Sequence, residues 1–227
     1  IGLLPEASAQ YAWIFILIGV ITMFYGAFVA LVQTDIKKMI ALTSINHMGF
    51  VILGAFTGTV FGISGAIFQM FTHAAAIGLM FMLSGYLHKV SGTRDITVIK
   101  GLKFTSPRLA SLLVLGSMAA MALPIFSSFL SEYMVIVGAI SVNPIYAVTV
   151  AIPVITVAYF LWMLQRVVMS NPTTVRVRHH DLGTFSTLTL VLYLIPLVLT
   201  LVVPWLILGV SNPISEVYTN LISSGAA

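Results

Sequence analysis

The chain has 227 residues, of which 59% are hydrophobic and only 7% charged, whereas a soluble domain carries about 25% Asp, Glu, Lys and Arg. With a mean hydropathy of +1.10 there are too few charges to clothe a soluble surface, which excludes a soluble enzyme, a nucleic-acid-binding domain and a disordered chain and leaves a polytopic membrane protein. The net charge of +4 does not point to nucleic acid, because the ten Lys and Arg are scattered in ones to threes among apolar runs, and the absence of cysteine excludes disulfides, thiolate metal sites and iron–sulfur clusters held by this chain.

The chain begins at Ile1 rather than Met and shows no signal-peptide pattern, as expected for a fragment, a split-gene product or part of a longer chain. Six apolar segments follow, at about 12–33, 39–60, 63–88, 108–140, 144–168 and 186–210. Each is long enough to cross a hydrocarbon core of ~30 Å, and only helices satisfy their own backbone polar groups one segment at a time. The prediction is one all-α transmembrane domain over residues 1–227, a bundle of six helices with one of them discontinuous.

The linkers between successive spans alternate sides of the membrane. One side receives Lys37 and Lys38, then Lys89, Arg94, Lys100, Lys103 and Arg108, then Arg166, Arg176 and Arg178, which is all ten basic residues. Chance alone does this about twice in a thousand tries, so the positive-inside rule supports six crossings, with basic linkers on the cytoplasmic or matrix side. Both termini, with Glu6 and Glu216, are expected on the other side. The linker 89–107 is expected to hold an interfacial stretch, with Ile96, Val98, Ile99, Leu102 and Phe104 among lysines.

The fourth segment is too long for a straight crossing. Residues 108–140 span ~48 Å as helix. Pro124 removes a backbone donor inside it, and Ser127 and Ser128 follow with hydroxyls suited to freed carbonyls. A helix broken at membrane depth is the reading, and such backbone is tolerated only where protein or a hydrated cavity surrounds it.

Of six acids, only Glu132 lies inside a span, some 11 residues or ~16 Å from its outer end. A carboxyl near the midplane costs several kcal/mol unless paired, protonated or hydrated. His47 and His73 lie at similar depth on neighbouring spans, and histidine exchanges protons near neutral pH. Thr43, Ser44 and Asn46 on one span, with Gln69 and Thr72 on the next, add a polar stripe suited to a water chain. The predicted site is a proton relay of Glu132, His73 and His47 beside the helix break at Pro124. The bland alternative is a set of structural interhelical hydrogen bonds. Metal or haem ligation by the two histidines is disfavoured, since neither has a carboxylate or second histidine at helical spacing. His179 and His180 read as a solvated loop. Phosphate-loop, dinucleotide-binding and Ser–His–acid patterns are absent, so no cofactor and no metal are expected on this chain. Small residues such as Gly58, Gly62 and Gly65 read as helix-packing positions.

Several runs resemble the antiporter-like subunits of respiratory complex I. They are Gln33-Thr34-Asp35-Ile36-Lys37-Lys38-Met39-Ile40-Ala41, Thr43-Ser44-Ile45-Asn46-His47-Met48-Gly49-Phe50, Gln69-Met70-Phe71-Thr72-His73, Thr93-Arg94-Asp95-Ile96, and Leu123-Pro124 with Phe129 and Glu132. The Thr-Arg-Asp-Ile step and a membrane Glu where sister subunits carry Lys favour the M-type chain. The resemblance covers about residues 11–168. It implies fourteen helices with two inverted five-helix repeats, of which this chain holds the second repeat plus the last helix. It also implies that His47 and His73 lie on a central hydrophilic axis and that Glu132 passes protons along it. Many relatives have Gly after the helix-break proline and before the following Phe; Ile125 and Ser128 stand in those places here, so the local bend is expected to differ.

The function implied is the proton-translocating C-terminal half of an M-type subunit in a complex I-type NADH or F420H2:quinone oxidoreductase, with the redox chemistry elsewhere. The partners implied are the other membrane subunits, a first half of the antiporter-like subunit and the lipid bilayer of a prokaryotic plasma membrane or mitochondrial inner membrane, with no nucleic acid. The rival class is a multisubunit sodium/proton antiporter or membrane-bound hydrogenase; a purely structural half-subunit is a third.

Overall fold

Hydrocarbon offers backbone groups no water, so each crossing must close its own hydrogen bonds. The computed structural model meets that demand with helices throughout; it describes residues 5–171 and 181–225. Arg176, Arg178, His179 and His180 lie outside the described residues, as does the Glu6 side chain.

A short helix α1 (Pro5–Gln10) precedes α2 (Ala12–Leu31), α3 (Ile36–Phe56) and α4 (Val60–Ser91). Asp35 starts α3 as an N-cap, its carboxylate accepting from the N–H groups of Lys37 at 2.8 Å and Lys38 at 3.1 Å. Thr59 starts α4 in the same way through the N–H of Gly62 at 3.0 Å. The left-handed Gly92, with φ 74°, ends it. A single turn α5 (Leu102–Thr105) leads into α6 (Pro107–Ala120) and α7 (Ser127–Val142), the two halves of the broken crossing. A 3₁₀ stretch, Pro144–Val150, runs into α8 (Ala151–Leu164), and a π-helical turn, Gln165–Met169, finishes it.

Among the described residues, five helical stretches are long and apolar enough to cross a membrane: Ala12–Leu31, Ile36–Phe56, Val60–Ser91, Pro144–Met169 and Thr184–Val202. The pair Pro107–Ala120 and Ser127–Val142 supplies the remaining crossing in two short pieces.

The basic linkers meet at one end of the bundle. The N–H of Ile36 donates to Arg94 O at 3.0 Å and that of Ile96 to Thr34 O at 2.9 Å. The N–H of Gly101 reaches Ser170 Oγ at 3.3 Å. The Asp181 carboxylate accepts from the N–H groups of Arg108 at 2.9 Å and Leu109 at 3.1 Å, capping α6 from a distant segment. Nearby, the Thr97 hydroxyl and N–H hold the Asp95 carboxyl below its ordinary range. The linker before α5 is not the interfacial stretch expected of it. Its backbone is tied to residues 34–36, and Ile96, Ile99 and Leu102 turn inward to full burial, leaving Val98 and Phe104 outside.

The last crossing also differs from a single span over 186–210. Helices α9 (Thr184–Leu192) and α10 (Leu194–Val202) run beside α4 and α6, and α11 (Trp205–Gly225) continues along α4. Pro204 lacks an N–H and disfavours helix at the residue before it; Val203 accordingly leaves helical geometry, at φ −123° and ψ 63°. Serine spacing on α11 then re-attaches the chain to α4, with Ser64 Oγ 2.8 Å from Asn212 Oδ1 and 2.9 Å from Ser215 Oγ.

Helices α4 and α7 approach almost backbone to backbone. A Cβ added at Gly138 meets the Cα and N of Gly62 at 2.6 Å. Gly138→Ala is therefore expected to lower the melting temperature in detergent, at a cost of about 1–3 kcal/mol. Gly85→Ala on the same α4, where nothing lies within 4 Å of an added Cβ, is expected to be neutral or slightly stabilising. Equal melting temperatures for the two variants would refute the close approach.

Candidate functional site

Among the described residues, two large apolar clusters fill the bundle, one towards the basic linkers around Met39, Leu83 and Leu113, the other towards the opposite end around Phe50, Leu53 and Val135. Between them lies a layer of buried polar side chains drawn from α3, α4, α7 and α8.

The helix break places the acid. After Ala120 the chain leaves helical geometry, and Ala122 adopts φ 53°. Ser128 Oγ donates to Ala119 O across the gap at 2.7 Å, satisfying a carbonyl that the break frees. Helix α7 thus begins inside the bundle, and its second turn carries Glu132 inward to 5% exposure. His47 faces it from α3 at 1% exposure, with Nε2 3.5 Å from Glu132 Oε1. On its other side His47 Nδ1 stands 3.2 Å from His73 Nδ1 on α4, the rings meeting edge to face. Ser44 Oγ, one helical turn from His47, closes the row at 3.0 Å from His73 Nε2. The structure thus brings the three titratable residues expected from sequence into one line: Glu132, His47, His73. The break runs from Met121 to Phe126 and contains Pro124.

Two side branches support the line. Gln69 Oε1, Thr72 Oγ1 and Ser131 Oγ form a cluster beside Glu132, with Thr72 and Ser131 3.1 Å apart and Ser131 in a short hydrogen bond to Gln69. On α8, Tyr159 Oη stands 2.9 Å from Thr43 Oγ1. Thr43 gives its own proton to Met39 O at 2.9 Å, so the tyrosine is the donor. Asn46 Nδ2 donates to Thr156 Oγ1 at 3.0 Å. Sequence reasoning missed Ser131, Thr156 and Tyr159. The signal for two of them was present, since Thr156 and Tyr159 stand three apart in an otherwise apolar span and share a helix face.

The row has a definite chemical capacity. Two imidazoles joined through their Nδ1 atoms hold one proton between them. If His47 Nδ1–H donates, His73 carries its one ring proton on Nε2 and donates it in a hydrogen bond to Ser44 Oγ, while the lone pair of His47 Nε2 faces Glu132. If His73 Nδ1–H donates, His47 Nε2–H points at the carboxylate and His73 Nε2 accepts from Ser44. Moving from one state to the other passes a proton's worth of charge along the row. The 3.5 Å step to Glu132 is longer than an ordinary hydrogen bond, so it is the weakest link in the row. His47 Nε2, Asn46 Oδ1 and Gln69 Nε2 have no hydrogen-bond partner, which makes the layer the wettable part of an apolar bundle. Among the described residues no three His, Asp or Glu side chains converge on a point that could hold a metal ion.

The fold and site define a polytopic helical membrane subunit in which a broken helix delivers a carboxyl to a buried histidine, His47, that contacts a half-buried one, His73. The NADH:quinone oxidoreductase/Mrp antiporter, TM family matches residues 1–158. The chain belongs to that family. It is 36% identical over 167 residues to F(420)H(2) dehydrogenase subunit M of Methanosarcina mazei, covering 72% of this chain and 34% of that protein. It is 37% identical over 165 residues to NADH-quinone oxidoreductase subunit M of Escherichia coli K12, covering 72% of this chain and 32% of that one. A subunit of respiratory complex I from Thermus thermophilus superposes with a TM-score of 0.89 at 27% identity, over 96% of this chain and 46% of that chain. The chain spans about a third of the length of the curated relatives it matches.

The two serines at the break separate packing from hydration. Ser128→Ala is expected to cost about 1 kcal/mol of stability, because Ala119 O loses the Ser128 hydroxyl and keeps the longer backbone bond from the Ala122 N–H at 3.2 Å. The neighbouring Ser127 Oγ is buried without a partner, and Ser127→Ala is expected to leave the melting temperature in detergent unchanged. A larger loss at Ser127 than at Ser128 contradicts this account of the break.

Proposed function

We propose that this chain is the proton-translocating C-terminal half of an M-type antiporter-like subunit in a complex I-type NADH or F420H2:quinone oxidoreductase. Glu132, His47 and His73 are its relay. One observation carries the reading: His47 touches His73 through one ring nitrogen and faces Glu132 with the other, at 3.2 and 3.5 Å. A structural histidine needs one good partner; a relay needs one on each side.

Protons enter or leave the row at two unlike ends. Glu132 and His47 are sealed, while His73 and Ser44 are half-buried. The His73 end is where the first half of the subunit docks and continues the path. The redox reaction belongs to other subunits, and this chain carries no cofactor. Its partners are that first half and the neighbouring membrane subunits. The subunit M names of the relatives at 36 and 37% identity favour this over the sodium/proton exchanger, which the family description also embraces. The basic end faces the cytoplasm or matrix, by the positive-inside rule.

Glu132→Gln keeps the volume and removes the exchangeable proton. In the assembled complex it is expected to lower proton pumping by roughly tenfold or more while subunit composition stays intact. Pumping is read as fluorescent-dye quenching in inverted vesicles, assembly by native gel. Full pumping from an assembled Glu132→Gln complex defeats the relay.

A further inference from the structure

The basic end holds a second polar feature, unconnected to the proton row. An open cleft of about 610 Å³ lies between the linker before α5 and the end of α8, lined by Thr97, Lys100, Trp162, Gln165, Arg166 and Ser170. Its lining has two cations and no carboxylate. Among the described residues neither Lys100 nor Arg166 forms an ion pair. We propose that this cleft binds the phosphate of an anionic phospholipid headgroup.

The donors can be counted. Thr97 Oγ1 already gives its proton to Asp95 Oδ1 at 2.7 Å. Ser170 Oγ gives its own to Arg166 O in a short hydrogen bond and accepts from the N–H of Gly101. These two residues fix the walls and have no proton to offer. The Lys100 ammonium, the Arg166 guanidinium and the Gln165 amide are left for an anion, and together they suit the oxygens of a phosphodiester. The Arg166 guanidinium is held 3.9 Å above the Trp162 ring. Stacking fixes its plane and leaves its N–H edge free. The π-helical turn Gln165–Met169 is the kind of local widening that recurs at functional sites.

Position selects a lipid over a soluble anion. The cleft opens where the basic linkers meet, at the end of the membrane-crossing stretch Pro144–Met169, the end at which the headgroups of a leaflet would lie on the proposed reading. Leu161 near the end of α8 and Met169 in the π-helical turn are exposed apolar side chains on the same membrane-crossing stretch, a surface suited to acyl chains. Trp162 at this depth matches the interfacial preference of tryptophan. Basic pockets of this kind at the cytoplasmic or matrix face are suited to anionic headgroups.

The test uses the assembled complex reconstituted in phosphatidylcholine vesicles doped with photoactivatable phosphatidylglycerol. Labelling is expected within residues 97–101 or 162–170. It is expected to fall roughly tenfold or more in the Lys100→Gln/Arg166→Gln variant and to persist in Lys103→Gln, whose ammonium sits over the Phe104 ring at 4.8 Å. A photoactivatable phosphatidylcholine is expected to label these residues at least tenfold less. That comparison is made on the unaltered complex and decides the matter even where the double variant does not assemble. Equal labelling by both probes, or no loss in the double variant, overturns the proposal. Loss of labelling under excess inorganic phosphate at constant ionic strength would reassign the site to the free anion.

Discussion

A carbonyl in hydrocarbon has no water to turn to, and that constraint governs the interruption between Ala120 and Ser127. The gap survives because the protein around it supplies what solvent cannot. Ser128 bonds Ala119 O, the N–H of Leu123 reaches Met118 O at 3.2 Å, and that of Phe126 reaches Leu123 O at 2.9 Å. Ala76 of α4, Leu197 of α10, Ala119 and Phe126 pack into a small cluster over the break. The last crossing therefore has a definite task, which is to wall the gap. In return the break starts α7 at mid-depth, so a residue in its second turn enters the interior. Glu132 is that residue.

The close contact of α4 with α7 serves the same end. Small residues let the two backbones approach, and the approach at Gly62 and Gly138 aligns the helices below it. Two turns further in, Gln69 and Thr72 of α4 meet Ser131 of α7. The polar layer is thereby held between two apolar clusters. An isolated polar row in low dielectric is costly unless its members find each other. Packing glycines and hydrogen-bonded side chains are here two parts of one solution.

Much of this was legible in the sequence. Hydropathy runs gave the crossings because lipid imposes a length on them. Glu132, His47 and His73 stood out because ionisable residues in a span are expensive and few. Pro124 and its serines marked the break. Other features were hidden because they depend on the partner rather than on the segment. Nothing in Ile96, Ile99 and Leu102 says that their linker folds inward; the backbone bonds to Thr34 and Arg94 decide it. The extension of the last crossing beyond residue 210 was masked by the polarity of Ser211, Asn212, Ser215 and Glu216. That polarity is the means by which α11 binds α4 through Ser64. Tyr159 lies in an apolar helix, and only Thr43 of α3, beside its hydroxyl, gives it a polar role.

The contact between the two histidines is the feature that sequence could least foresee and that function most needs. Equal depth on neighbouring helices allows many geometries, including two rings that each bond a backbone carbonyl and never meet. Here they meet through like atoms, Nδ1 to Nδ1, and like atoms cannot both donate. The proton on one ring therefore dictates the tautomer of the other. It also dictates whether His47 offers Glu132 a proton or a lone pair. A change at the half-buried His73 end is in this way felt at the sealed carboxyl without any movement of the backbone. The longest step in the row is the 3.5 Å between His47 and Glu132, and its acid lies on the helix that the break sets apart.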